Sequence, residues 1–175
     1  HNLLNGTASI IASKLVGVNN VFINRALGNY IGVKRRFSFL GVKNKALIYD
    51  DYAHHPTEIS ATLEAAKNLN NKIVVVFQPH RYSRTKILMK EFVNVLSRIN
   101  YLIILKTYPA GEKTIKGATS KDIYKNILIK NKNIIYLNNS NKLDKFLEKF
   151  TSKKNTIIFM GAGSVSSFAN KFFNN

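Results

Sequence analysis

KIVVVFQPHRYSR, residues 72–84, sets two kinds of chemistry end to end. Ile73 to Phe77 is an unbroken apolar run, the mark of a strand covered on both faces, as in a parallel sheet. A proline, a histidine and two arginines follow at once. Working outward, YLIILK (101–106) and TIIFM (156–160) repeat the buried-strand pattern, and ALIYD (46–50) and 133–137 are shorter versions of it. Between them the apolar period becomes helical. Residues 56–68 carry Pro56 and Glu58 in a first turn and Ile59, Leu63 and Ala66 on one face; helices are also expected over 84–98, 119–129, 141–150 and 163–173. Strand and helix alternate with short connections, which predicts an α/β, doubly wound, mostly parallel sheet. VKRRFSFLG (33–41) reads as a strand and turn, preceded by helices over 2–16, with Gly17 as C-cap, and 20–28.

Bulk properties narrow the class. The 175 residues suit one compact domain with an extra piece at one end, and 45% are apolar, enough for a core. No run approaches the ~18 apolar residues of a membrane span. HNLLNGTAS has no signal-peptide pattern, and the missing initiator methionine suggests a piece of a longer protein. With no cysteine, disulfides, thiolate zinc sites and a cysteine nucleophile are excluded within the chain; a reducing cytoplasm is the expected setting. The net charge of +18 admits a nucleic-acid partner, but lysine is dispersed with Asn, Ile, Phe and Tyr, and compositional bias is the better reading.

In doubly wound sheets, ligands bind beyond the carboxyl ends of the strands. Four unusual polar strings fall there: DYAHHP, QPHRYSR, TYPAGE and GAGS. In the first, Asp51 is suited to a ribose hydroxyl or a metal-bound nucleotide, or to capping the next helix; Asp50 reads as structural. His54 is the better hydrogen-bonding candidate, His55 the structural one. The pair makes a poor zinc signal without a third ligand. In the second, Arg81 and Arg84 are three apart and would share a helical face beside His80, a clamp for carboxylate or phosphate. RRF (35–37) is another arginine pair, within reach of a phosphate across a domain boundary. Gly161 to Ser164 is a weak phosphate-loop signal, and Tyr108 and Glu112 are suggestive only. No Walker loop occurs in the chain.

Taken together, HNLLN, GVKRRF, DDYAHHPTE, FQPHRYSRT, YPAGE and MGAG, in this order and spacing, resemble the Mur ligase family from His1 to about Val165, with FQPHRYSR the most discriminating string. The resemblance implies that residues 1–35 are the tail of a central ATP-binding domain and 36–175 a Rossmann-like C-terminal domain, with a UDP-sugar domain and the rest of the ATPase domain as partners. It implies an ATP- and Mg²⁺-dependent ligase of peptidoglycan precursor synthesis: UDP-N-acetylmuramate is activated as an acyl phosphate and attacked by the amine of L-alanine. Asn2 and Asn5 would contact adenine, Arg36 the ATP phosphates and Asp51 the ribose. Tyr52, His54, His80, Arg81 and Arg84 would line the amino-acid and acyl-phosphate side, with metal ligands in the absent central domain. The chain alone is expected to be inactive, with no membrane partner. A muropeptide-recycling ligase and a basic nucleic-acid-binding module are the alternatives. Two positions depart from the family pattern: Ser164 stands where an aspartate is common, and Asn100 where an acidic residue is.

Overall fold

The computed structural model describes residues 2–30 and 32–175, except for the side chain of Asn2. The chain divides into two compact units, 1–33 and 34–175. In the first, helix α1 (Asn2–Leu15) ends where Gly17 takes φ 82°, and the Val18 amide donates to the Ser13 carbonyl at 3.0 Å. The side chain of Asn19 then caps α2 (Asn20–Gly28) by accepting from the Val21 amide. Leu3, Leu4, Leu15, Val21 and Phe22 are exposed on these helices.

The second unit is built on six strands: β1 (Ser38–Lys43), β2 (Ala46–Asp51), β3 (Lys72–Phe77), β4 (Tyr101–Leu105), β5 (Ile134–Leu137) and β6 (Asn155–Met160). Their order is β1-β2-β6-β3-β4-β5, with β1 antiparallel and every other pair parallel. The expected doubly wound, mostly parallel architecture is what the chain adopts. Period-2 alternation divides the strand side chains between two cores. Val75, Phe77, Leu102, Ile104, Ile158 and Met160 face α3 (Pro56–Lys67), α5 (Met89–Leu96) and α6 (Ser120–Leu128). Val74, Val76, Ile103, Leu105, Ile157 and Phe159 face α7 (Leu143–Thr151) and α8 (Val165–Asn174). With both faces covered, the strands must be apolar throughout, which is why residues 73–77 show no polar alternation.

Three expectations change. The strand expected over 33–41 begins at Ser38, because Arg35 (φ 62°) and Phe37 (φ 49°) lie in the left-handed region that no strand uses. The helix expected over 84–98 starts earlier and breaks at Leu88 (φ −105°, ψ 22°), leaving the short α4 (Tyr82–Ile87) before α5. A 3₁₀ turn, Ser140–Lys142, precedes α7, opened by the Asn139 side chain accepting from the Asn141 amide.

Parallel register aligns the carboxyl ends of the central strands: Asp51 lies opposite Met160, Met160 opposite Phe77, and Phe77 opposite Ile104. The four polar strings therefore emerge side by side along one edge.

Candidate active site at the carboxyl edge of the sheet

The loop after β2 is organised by two carboxylates. Asp51 is buried, 4% exposed. Its Oδ1 accepts from the Ala53 amide at 2.6 Å; its Oδ2 accepts from the Phe37 amide at 2.9 Å and the Thr62 hydroxyl at 3.0 Å. Burial raises its pKa despite those bonds, with Arg36 opposing. The carboxylate of Asp51, the residue expected at the ribose, faces inward and ties β2, α3 and the segment before β1 together. Asp50, also buried, accepts from the Ser166 hydroxyl and lies 3.7 Å from Nε of Arg35.

Glu58 is the second organiser. Burial alone would raise its pKa, but the amides of His54 (3.0 Å) and His55 (3.2 Å), the His54 ring and Arg36 prevail and hold it below the usual carboxylate range. His55 caps α3, its Nδ1 accepting from the Thr57 amide, and with Glu58 completes a capping box. Its structural role is as the sequence suggested. His54 is left half-buried with Nδ1 2.9 Å from the Tyr52 carbonyl and 3.4 Å from Glu58. Both neighbours only accept, so Nδ1 carries the proton and Nε2 of the neutral ring carries a lone pair.

The loop after β3 places the His80 ring 6.0 Å from that of His54 and stacked on Tyr108 at 5.4 Å. Nη1 of Arg84 lies 3.4 Å from Nδ1 of His80. A guanidinium only donates, so the neutral His80 has the opposite tautomer, with hydrogen on Nε2. Partial burial first, then Arg84, His54 and Arg81, push the His80 pKa below the ordinary histidine value, with Glu112 opposing. Arg81 and Arg84 do not share a helical face as their spacing predicts, because Arg81 precedes α4 with φ 71° and ψ 134°. Arg81 is exposed and Arg84 half-buried, both beside His80 in the chain.

The arginine pair before β1 is split. Arg36 is open, with Nη1 3.4 Å from Glu58 and its guanidinium 5.7 Å from the Tyr52 ring centroid. Arg35 turns inward: Nη2 donates to the Gly161 carbonyl at 2.6 Å, and its guanidinium lies 4.7 Å from the Tyr52 centroid. The Tyr52 amide donates to the Arg35 carbonyl at 2.6 Å. Gly161 and Gly163 are tight-fit positions. A Cβ on Gly161 (φ 148°) would sit 2.6 Å from the Gln78 carbonyl oxygen, and one on Gly163 2.6 Å from Gln78 Oε1 and 2.7 Å from Tyr108. Gln78 Oε1 also accepts from the Val165 amide, so the glycine turn is a close connection to the β3 loop.

The structure thus brings Tyr52, His54, His80, Arg81, Arg84 and Arg36 to the loops of one sheet edge. Asn5 lies exposed on α1 in the other unit; the side chain of Asn2 lies outside the described residues. Among the described residues no group of three or more His, Asp or Glu side chains is placed to hold a metal. Sequence reasoning missed the roles of Arg35, Glu58 and Gln78. For Glu58 the signal was there, three residues beyond a possible cap; Arg35 had no mark separating it from Arg36.

Known proteins resemble this chain along nearly its whole length. A family model described as Mur ligase, glutamate ligase domain, matches residues 35–163. The UDP-N-acetylmuramate–L-alanine ligase of Carboxydothermus hydrogenoformans is 39% identical over 98% of this chain, and that of Rickettsia felis 41% identical over 98%. The chain spans 37% of the length of each. The crystal structure of the UDP-N-acetylmuramate-alanine ligase of Thermotoga maritima superposes with a TM-score of 0.79 at 28% identity, covering 99% of this chain and 37% of that one. A murein peptide ligase from Psychrobacter arcticus superposes at 0.72 with 25% identity, covering 99% and 36%.

Proposed function

Because the chain belongs to the Mur ligase family, we propose that it is the C-terminal part of an ATP-dependent ligase that joins L-alanine to UDP-N-acetylmuramate in the cytoplasm. The observation that carries this reading is the meeting of two histidines of opposite tautomer with two arginines at the ends of β2 and β3. Residues 1–35 are then the tail of the ATP-binding domain, with Asn2 and Asn5 on the adenine side.

ATP supplies the phosphoryl group that activates the muramoyl carboxylate. This chain contributes to the acceptor half of the reaction. A free amino acid enters as a zwitterion, so its carboxylate must be held and its ammonium must lose a proton before it can attack. Arg81 and Arg84 supply guanidiniums suited to the carboxylate, in the planar geometry it prefers. Nε2 of His54 is the available lone pair for the proton, and Glu58, 3.4 Å from Nδ1, stabilises the resulting imidazolium. His80, kept neutral, presents Nε2–H as a donor towards developing oxyanion charge. Tyr52 forms the wall between these groups and Arg36, whose exposed guanidinium suits a phosphate. Ligands for Mg²⁺ are assigned to the central domain. Closure of that domain over these loops would exclude water from the acyl phosphate.

The test is ADP release by the protein encoded by the intact gene, with UDP-N-acetylmuramate and L-alanine, glycine or L-serine offered separately. Release that needs both acceptor and amino acid, greatest with L-alanine, supports the reading. Release only with muropeptides would assign the chain to a recycling ligase; no release with any acceptor would overturn ligase activity. His80→Ala and Arg81→Ala are each expected to lower kcat/KM by about 10²-fold or more, in line with the loss of an oxyanion donor or a charged clamp.

A further inference from the structure

Arg81 holds a backbone conformation, φ 71° and ψ 134°, that an L-residue rarely keeps unless its surroundings enforce it. The enforcement comes from the loop after β4, which has no part in the acceptor chemistry proposed for the other loops. Tyr108 bridges the strained residue: its amide donates to the Pro79 carbonyl at 2.8 Å and its carbonyl accepts from the Arg81 amide at 2.9 Å. Beyond Arg81, Glu112 grips Ser83, one oxygen accepting from the Ser83 hydroxyl at 2.5 Å and the other from its amide at 3.0 Å. The Arg81 carbonyl is also fixed, accepting from the Thr85 hydroxyl at 3.0 Å. The loop itself is anchored where it leaves β4 and where it enters α6: the Thr107 amide donates to the Ser120 hydroxyl and the Ser120 amide to the Thr107 hydroxyl. Glu112 lies in this anchored loop and reaches across to the residue two places after Arg81.

We propose that Glu112 is a positioning residue that locks the strained turn at Arg81, aiming that guanidinium at the carboxylate of the incoming amino acid. The aim at an amino acid rests on the ligase reading; the lock itself does not. Without Glu112 the Ser83 amide and hydroxyl lose their acceptor, and the strained turn is restrained only by the Tyr108 and Thr85 bonds to Arg81. With that restraint gone, the direction of the Arg81 guanidinium is less tightly set. Substrates bound elsewhere are unaffected, so the effect is confined to the amino-acid acceptor.

Two measurements test this with Glu112→Ala and the shorter Glu112→Asp. In ¹⁵N–¹H spectra of this chain, the Arg81 and Ser83 amide resonances should shift in Glu112→Ala while those of β5 stay in place. In the intact ligase, the KM for L-alanine should rise about tenfold or more, with the KM for ATP unchanged and Glu112→Asp partly restored. Unmoved Arg81 and Ser83 resonances would overturn the lock. Shifted resonances with an unchanged KM for L-alanine, in a ligase whose wild type turns over, would overturn the aim. If the wild type does not ligate at all, the ligase reading fails and the amide resonances alone decide the lock. Equal melting temperatures for wild type and Glu112→Asp guard against a folding defect in the comparison.

Discussion

His54 and His80 present different atoms to the same space because their neighbours differ in hydrogen-bonding sense. A carbonyl and a carboxylate fix the proton of His54 on Nδ1; a guanidinium keeps it off Nδ1 of His80. The depressed pKa of His80 has a measurable consequence. Its imidazole resonances should titrate with a midpoint below the ordinary histidine value. The unfolded state binds the proton more readily, so stability should rise with pH between the folded and unfolded midpoints and be flat above them. A midpoint at or above that of a free histidine would contradict the partial burial and the cationic neighbours described. Gly163 gives a second test at this scale. An added methyl would meet Gln78 Oε1 at 2.6 Å and the root of the Tyr108 ring at 2.7 Å. Gly163→Ala should therefore destabilise by about 1–3 kcal/mol, read as a lower Tm.

At the scale of elements, α3 shows how one helix start serves both fold and site. The capping box of His55 and Glu58 begins the helix, and the same Glu58 meets the His54 amide and ring. Glu58→Ala should cost about 1 kcal/mol, as cap losses do, measured by denaturant midpoint. Because the folded pKa of Glu58 is depressed, its contribution is present above the unfolded carboxylate pKa and is lost as pH falls through the folded value. The difference between wild type and Glu58→Ala should therefore shrink in acid. The break at Leu88 belongs to this scale too. Apolar periodicity ran on through 84–98, so the sequence showed one helix where hydrogen bonding makes two.

At the scale of the whole molecule, the two units differ in kind. Residues 34–175 carry both cores, whereas residues 1–33 expose much of their apolar surface. Residues 34–175 expressed alone should therefore unfold cooperatively, and a broad, non-cooperative thermal transition would count against that independence. Ligation by the 175-residue chain alone is not expected, since it contains no Walker loop; turnover by it would overturn the assignment of its partner domains.

The sequence by itself determined the layering and the edge at which chemistry gathers. Apolar runs such as 73–77 and 102–105 can be satisfied only by burial on both faces, and parallel strands so buried place their following loops together. The residue types in those loops then pointed to carboxylate and phosphate partners. Tertiary structure alone decided which arginine of the 35–36 pair faces inward and which partners hold the buried carboxylates. Arg35 turns inward while Arg36 stays open, because the carbonyl of Gly161 is brought to Arg35 from the far end of the chain; Asp51 is tied inward by the Phe37 amide and the Thr62 hydroxyl, from the segments on either side of β2. Local spacing cannot report such partners: a charged side chain's direction is set by the donors and acceptors that the fold delivers to it.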